Sequence, residues 1–349
     1  MKPRVLLVSR TRYRLPLDPA VGAKFDAMGR ELEVHVLATG AGSGAGFTLF
    51  PDSASFWPLL PWRLAREFRR VRPAAVLCQT PYEAAAAIVA RRLAGARCRV
   101  VVEVHGDWRA STRLYGHRSR SLLAPLGDSL AAWALRRADA VRAVSPFTER
   151  LVRELGVEPA DSFPAYMELD PFLGPRAPLP ERPAAVFVGA LEATKGVDVL
   201  AEAWRLAAPD ASLRLIGDGP LASVVERLGV SWDRERVPAG TIAAALDEAW
   251  VLVLPSRSEG MGRVVVESFC RGRAVVGSRA GGIPDLVEDG VSGLLVPPGD
   301  AAALADALAR MLSERALAER LGEGAAAAAA PWLQTPAEYA RRLREVLVG

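Results

Sequence analysis

A chain of 349 residues with 50% hydrophobic and 24% charged side chains is long enough for two cores and too apolar to be disordered. Its formal charge of +4 is uneven: residues 1–170 hold 25 basic against 17 acidic groups, while the remainder is net acidic. The modest excess and the lack of a recognition motif exclude a nucleic-acid binder, and no apolar run reaches the length of a membrane-spanning helix.

Short apolar runs alternate with longer periodic stretches. RVLLVS (4–9), EVHVLA (33–38), AAVLCQ (74–79), RVVVEV (99–104) and DAVRAVS (139–145) read as strands apolar on both faces, the pattern of a parallel sheet covered by helices. MKPR runs straight into the first of them, and that run is too short for a signal peptide. WPLLPWRLAREFRRVRP (57–73) is a basic amphipathic helix that either covers the sheet with its arginines in water or lies on an anionic membrane surface. Ser145 and Pro146 supply an N-cap and a first helical residue.

DSFPAYMELDPFLGPRAPLPERP (161–183) breaks the period and reads as an interdomain linker. A second strand series follows: AAVFVG (184–189), SLRLIG (212–217), WVLVLP (250–255), AVVGS (274–278) and GLLVPP (293–298). PAEYARRLREVLV (336–348) is an amphipathic helix free to return to the first domain. The expected fold is α/β, with two doubly wound Rossmann-like domains facing a cleft: residues 1–172 with 332–349, and residues 173–331. In such sheets ligands bind at the carboxyl ends of the strands.

Those ends carry the informative residues. In LPSRSEGMGRVVVESF, Glu259 sits in the loop and Glu267 about a turn into the following helix. Two carboxylates flanking a helix N-terminus suit a ligand with phosphate in the middle and vicinal diols at both ends, the shape of a sugar nucleotide. The alternative is a solvated Glu259 and a Glu267 that favours the first helical turn. Lysine occurs only at 2, 24 and 195, against 41 arginines, so Lys195 in a strand-to-helix loop is either a retained compact ammonium or an exposed loop residue. His105 opens HGDW after a strand, as a general base or a structural loop histidine, with Asp107 a second candidate contact. His35 and His117 lack such a setting. Arg109, Arg113, Arg118 and Arg120 form a basic stretch suited to a phosphorylated acceptor, and no D-x-D motif marks a metal site. Cys78, Cys98 and Cys270, widely spaced, fit buried thiols in a reducing cytoplasm.

FVGALEATKGVDVL, LIGDGP, SEGMGRVVVESF and GGIPDLVEDGVSGLLVPPGD, with VEVHGD and RADAVRAVSPFTERLVRELGV in the first half, resemble the motifs of the family 4 retaining glycosyltransferases of the GT-B fold, in order, over roughly residues 1–345. The resemblance implies a cytoplasmic enzyme, free or peripheral at the inner membrane face. It would move a hexose from a nucleoside diphosphate sugar to a hydroxyl acceptor of lipid, inositol or glycan type, without metal or other cofactor. It implies that Glu267 grips the ribose, Glu259 the transferred sugar and Lys195 the diphosphate. The backbone N–H groups of Met261, Gly262 and Arg263 would meet sugar and diphosphate, and Gly189, Gly217, Asp218 and Gly219 would complete the donor site. His105 would stand near the transferred sugar.

Two departures stand out. Ala190 replaces an arginine usual in the family, one of two cations for the leaving diphosphate, and loss of such a donor costs about 2.7–4 kcal/mol. Arg263 and the cluster Arg10, Arg12 and Arg14 are the candidate replacements. The loop after the first strand, where the family commonly has a Gly-Gly pair, offers only Gly22. An epimerase or hydrolase on the same fold, and a non-catalytic sugar-nucleotide-binding protein, are the competing readings. The sugar, the base, the acceptor and the oligomeric state are not legible.

Overall fold

A computed structural model describes residues 2–53, 55–110, 118–207, 210–235 and 237–349, apart from the side chains of Ala20 and residues 118–123. Arg113 and His117, and the side chains of Arg118 and Arg120, therefore lie outside the described residues. The chain divides into two compact units, Met1–Glu168 with Gln334–Gly349, and Leu169–Leu333.

The first unit is built on seven parallel strands among the described residues: β1 (Arg4–Arg14), β2 (Glu33–Ala41), β3 (Phe47–Phe50), β4 (Ala75–Cys78), β5 (Arg99–Val104), β6 (Ala140–Ala143) and β7 (Asp161–Ser162). Their order is β3-β2-β1-β4-β5-β6-β7, which reverses direction between β1 and β4. Successive side chains of β1 enter different cores, because a strand points alternate residues to opposite faces. Leu6 and Val8 pack under helices α2 (Phe56–Val71), α3 (Pro81–Ala94) and α4 (Arg118–Arg137). Val5 and Leu7 pack on the other face with Met28 of α1 (Pro19–Glu31), with Leu32 just after it, and with Tyr339, Leu343 and Leu347 of the C-terminal helix Pro336–Val348. Helix starts follow local chemistry. Thr80 and Glu83 form a capping box ahead of α3, and Ser145 with Thr148 does the same for α5 (Pro146–Arg153), each with proline in the first turn.

The region after the first strand differs from expectation. β1 continues past Ser9 to Arg14, because Arg12–Arg14 pair with Thr39–Ala41 across a register shift, while the Tyr13 ring packs edge-on against Phe25 and Phe47. Arg10, Arg12 and Arg14 thus lie on a strand, not in a loop. Gly22 also leaves the expected loop: Asp18 caps α1, and the Gly22 N–H bonds the Asp18 carbonyl at 2.8 Å inside its first turn.

In the second unit, six parallel strands among the described residues run in the order β10-β9-β8-β11-β12-β13. They are β8 (Ala184–Val188), β9 (Ser212–Ile216), β10 (Ser231–Asp233), β11 (Val251–Leu254), β12 (Ala274–Ser278) and β13 (Gly293–Val296). Helices α6 (Val197–Ala207), α7 (Ala222–Glu226), α8 (Ala239–Asp247), α9 (Arg263–Cys270), α10 (Ile283–Leu286), α11 (Ala301–Ser313) and α12 (Arg315–Ala328) surround the sheet. Both units are Rossmann-like, and the strand order of the second reverses between β8 and β11. Among the described residues no helix is long and apolar enough to cross a membrane.

Candidate active site

The loops after β8 and β11 flank the reversal point of the second sheet and carry Lys195 and Glu259. Lys195 Nζ donates to Glu259 Oε2 at 2.5 Å, with side-chain exposures of 25% and 14%. Backbone contact makes this pairing possible. Gly196 has φ of +67°, and a Cβ there would stand 2.0 Å from the Pro255 carbonyl oxygen, so only glycine lets the two loops touch. Gly281 plays the same part on the other side, where a Cβ would meet the Glu259 carbonyl oxygen at 1.9 Å; the adjacent Gly282 N–H bonds that oxygen at 2.9 Å.

Arg257 fastens the two loops from the side. Its guanidinium donates twice to Asp198, both at 2.7 Å, and once to the Ala193 carbonyl, while its backbone N–H bonds the Thr194 carbonyl. That fork holds the Asp198 carboxyl below its usual range.

Gly262, at φ of +72°, opens α9, with Met261 buried beside it. One turn on, Arg263 Nε bonds Glu267 Oε1 at 2.6 Å. Burial pushes the Glu267 carboxyl up, and Arg263 opposes that shift. Arg263, a candidate for the missing cation, is thus engaged by its own helix. Gly189, Gly217, Asp218 and Gly219 bring the loops after β8 and β9 together: Gly189 N–H bonds the Ile216 carbonyl and Leu191 N–H the Asp218 carbonyl. Ala190 is exposed beside them.

In the first unit, His105 follows β5 and its Nε2 lies 2.7 Å from Glu103 Oε2. Glu103 is 1% exposed and also pairs with Arg142, its register partner on β6, whose side chain is fully buried. Arg142 donates to the Phe163 and Pro164 carbonyls and stacks 3.6 Å over the Phe163 ring, with Tyr339 on its flank. Arg142 thus gives the buried Glu103 a countercharge. Desolvation, with the charge of Lys24 second, lowers the imidazole to about 4, although 41% of the side chain stays accessible. A neutral ring donating Nε2–H to Glu103 leaves Nδ1 as an acceptor. Lys24 itself is lowered by burial, and then by Arg142, to about 8. Asp107 accepts from both the backbone N–H and Nε of Arg109, which ties those two candidates to each other.

The reversal point of the first sheet is filled from within. Glu83, 1% exposed, accepts the backbone N–H groups of Arg10, Gln79 and Thr80 at 2.9, 2.9 and 3.0 Å. The Gln79 and Thr80 donors stand at the start of α3 and that of Arg10 on β1, so the carboxylate occupies N–H groups that could otherwise meet an anion. The Arg10 side chain bonds Asp52 at 2.9 Å, whereas Arg12 and Arg14 point into solvent. Neither the Glu103–Arg142 pair nor the roles of Glu83, Arg257 and Gly281 were expected from sequence.

Comparison with known proteins bears on the family and the fold. Residues 25–163 match the profile described as Glycosyltransferase Family 4, and residues 182–314 the one described as Glycosyl transferases group 1. Alpha-D-kanosaminyltransferase of Streptomyces kanamyceticus is 30% identical over 65% of this chain and 64% of its own length. A GDP-mannose-dependent alpha-(1-6)-phosphatidylinositol monomannoside mannosyltransferase of Mycolicibacterium smegmatis is 30% identical over 66% of this chain and 65% of its own. The chain thus spans just under two thirds of either relative. The crystal structure of Anabaena HepE with UDP and glucose superposes with a TM-score of 0.72 at 19% identity, over 99% of both chains, which speaks for the fold alone. With both halves matched by glycosyltransferase profiles and two Rossmann-like units in one chain, the protein belongs to the family 4 type glycosyltransferases of the GT-B fold.

Proposed function

We propose that the protein is a retaining hexosyltransferase that moves a sugar from a nucleoside diphosphate sugar to a hydroxyl of a lipid, inositol-type or glycan acceptor held by residues 1–170. The observation that carries this reading is the Lys195–Glu259 pair beside the glycine that opens α9. A cation, a carboxylate and the free N–H groups of a helix start stand where a diphosphate and sugar hydroxyls find complementary partners. The names of the two relatives, which transfer kanosaminyl and mannosyl groups, support a hexose donor. On donor binding Lys195 turns to the diphosphate and Glu259 to the sugar hydroxyls, while Glu267 takes the ribose. Departure of the diphosphate is eased by Lys195 and by the N–H groups of Met261, Gly262 and Arg263. Neutral His105 offers Nδ1 as a hydrogen-bond acceptor for a substrate hydroxyl. The chemistry runs without a metal and with no other cofactor, in the cytoplasm.

Screening UDP-, GDP- and ADP-sugars by thermal shift tests the reading, since a ligand at a hundred times its Kd adds about 2.7 kcal/mol. The matching donor is then assayed with EDTA present, and the product anomer determined. Turnover with retained configuration that is lost in Lys195→Ala and Glu259→Ala supports the proposal; near wild-type rates in either variant sink it. One observation favours a second reading, a protein that binds the sugar nucleotide without turnover: Ala190 leaves Lys195 as the sole family cation of that loop. Calorimetric binding with no transfer over a broad acceptor panel would decide for it.

A further inference from the structure

Six of the eleven large hydrophobic side chains that stand exposed among the described residues lie on three neighbouring helices of the first unit: Leu59 and Trp62 on α2, Val89 and Leu93 on α3, Leu126 and Leu130 on α4. The helices lie side by side, with Arg69 of α2 donating to the Leu93 carbonyl at 2.7 Å and Trp57 meeting the Tyr82 ring at 6.3 Å. Their inward faces already fill one core, through residues such as Leu60, Leu64, Ala87 and Ala134. The outward apolar groups therefore add nothing to that core, and Trp62 and Leu126 are 65% and 67% exposed.

Among the described residues the exposed charge on α2 and α3 has one sign, and Asp128, the acidic residue of α4, is half-buried. Arg66, Arg69 and Arg70 of α2 and Arg92 of α3 point outward, whereas the acidic residues of those two helices, Glu67 and Glu83, are 5% and 1% exposed. Glu67 is bound to Arg70, and Glu83 to backbone N–H groups. The apolar groups come in pairs one helical turn apart, Leu59 with Trp62, Val89 with Leu93 and Leu126 with Leu130, with exposed arginines among those of α2 and α3. Two copies meeting through this face would oppose like charges.

We propose that the outward face of α2, α3 and α4 docks on an anionic lipid bilayer, with Trp62 and the leucines entering the boundary between headgroups and acyl chains and the arginines meeting lipid phosphates. The surface is the side of the helical layer, apart from the strand ends that carry the proposed chemistry. Its test therefore succeeds or fails independently of transfer activity.

The full chain is sedimented with phosphatidylcholine vesicles containing 30% phosphatidylglycerol, or none, at about 0.1 M salt. The expected result is binding to the anionic vesicles that is roughly tenfold or more weaker on neutral vesicles and declines at high salt. Arg66→Glu combined with Arg92→Glu should lower binding by roughly tenfold or more, and Trp62→Ser by a smaller factor, with melting temperatures unchanged because all three side chains are exposed or half-exposed. Equal binding to both vesicle types, no binding to either, or variants that bind like the parent overturn the proposal. So does a concentration-dependent dimer abolished by the same substitutions, which assigns the face to a second copy.

Discussion

Replacing Lys195 with methionine keeps most of its stem and removes the charge 2.5 Å from a carboxylate that is 14% exposed. With an effective dielectric constant of 20, two charges at such a separation attract by about 7 kcal/mol, but desolvation cancels much of that. A charge-assisted hydrogen bond nets about 1.5–3 kcal/mol. Lys195→Met and Glu259→Gln should therefore each destabilise the second unit by about 1.5–3 kcal/mol, and the double variant should cost little more than either alone. Calorimetric unfolding of the four proteins yields the coupling energy, which should lie near 2 kcal/mol. Costs that add within about 0.5 kcal/mol would refute the pairing. The same cycle tests the proposed chemistry. If a sugar nucleotide gives each partner a new ligand contact, coupling measured at saturating donor should fall toward zero while each single variant binds donor more weakly. Coupling that persists in the saturated protein would show that Lys195 never leaves Glu259, and its assignment to the diphosphate would be wrong.

Four further outcomes are expected. Arg142→Ala leaves Glu103 buried beside an empty space and should cost about 3–5 kcal/mol in the first unit, read by urea unfolding; a loss under 1 kcal/mol would show that Glu103 is neutral. Arg257→Ala frees the loops bearing Lys195 and Glu259, so the donor KM should rise severalfold with little change in kcat, and an unchanged KM would show that the glycine contacts suffice. His105 titrates near 4 in the native protein and near 6.5 unfolded, so only the unfolded chain takes up this proton between those values and stability falls as pH drops through the window. A ring that titrates above 6.5 by NMR would mean that Glu103, not desolvation and Lys24, sets its charge. Ala190→Arg restores a second cation to an exposed position and should tighten donor binding by about tenfold or more; no gain would mean that another group already fills that role.

The two strand series and the start of α9 were legible because parallel strands buried on both faces are apolar throughout, and because glycines punctuate their ends. The extension of β1 was not. Arg10–Arg14 alternate charged and polar groups around one tyrosine, and what holds them in a strand is the last residues of β2 and two phenylalanines distant in sequence. The pair behind His105 left a trace that could have been followed. Past the charged residue that opens each segment, RVVVEV and DAVRAVS carry one further charge amid apolar neighbours, opposite in sign; the strands pair, and register sets Glu103 against Arg142. Arg257 and Asp198 left none, since a loop arginine and a first-turn aspartate are ordinary at their positions.

The same geometry bears on why lysine and arginine are so unevenly used. Several of the arginines do what lysine could not. Residues 172–180 run through prolines that offer carbonyls and few N–H groups, so their acceptors need donors from elsewhere. Arg271 donates to the Phe172 and Pro175 carbonyls, Arg273 to those of Ala177 and Pro178, and Arg315 to those of Leu179 and Pro180. Asp247 accepts two bonds from Arg271, so that buried guanidinium is neutralised as well as satisfied. A planar fork with five donors can bridge adjacent carbonyls; a compact ammonium at the end of a flexible stem cannot do so from a fixed place. Lys195 faces the opposite demand. Its partner in the free protein is one carboxylate oxygen, and in the proposed cycle it must exchange that oxygen for a phosphate oxygen, a move that suits a rotatable point charge and would be hindered by a bidentate fork locked on Glu259. Arginine therefore sits where the chain must be fixed, as at Arg257 and along the linker, and Lys195 where the proposed cycle asks a partner to change.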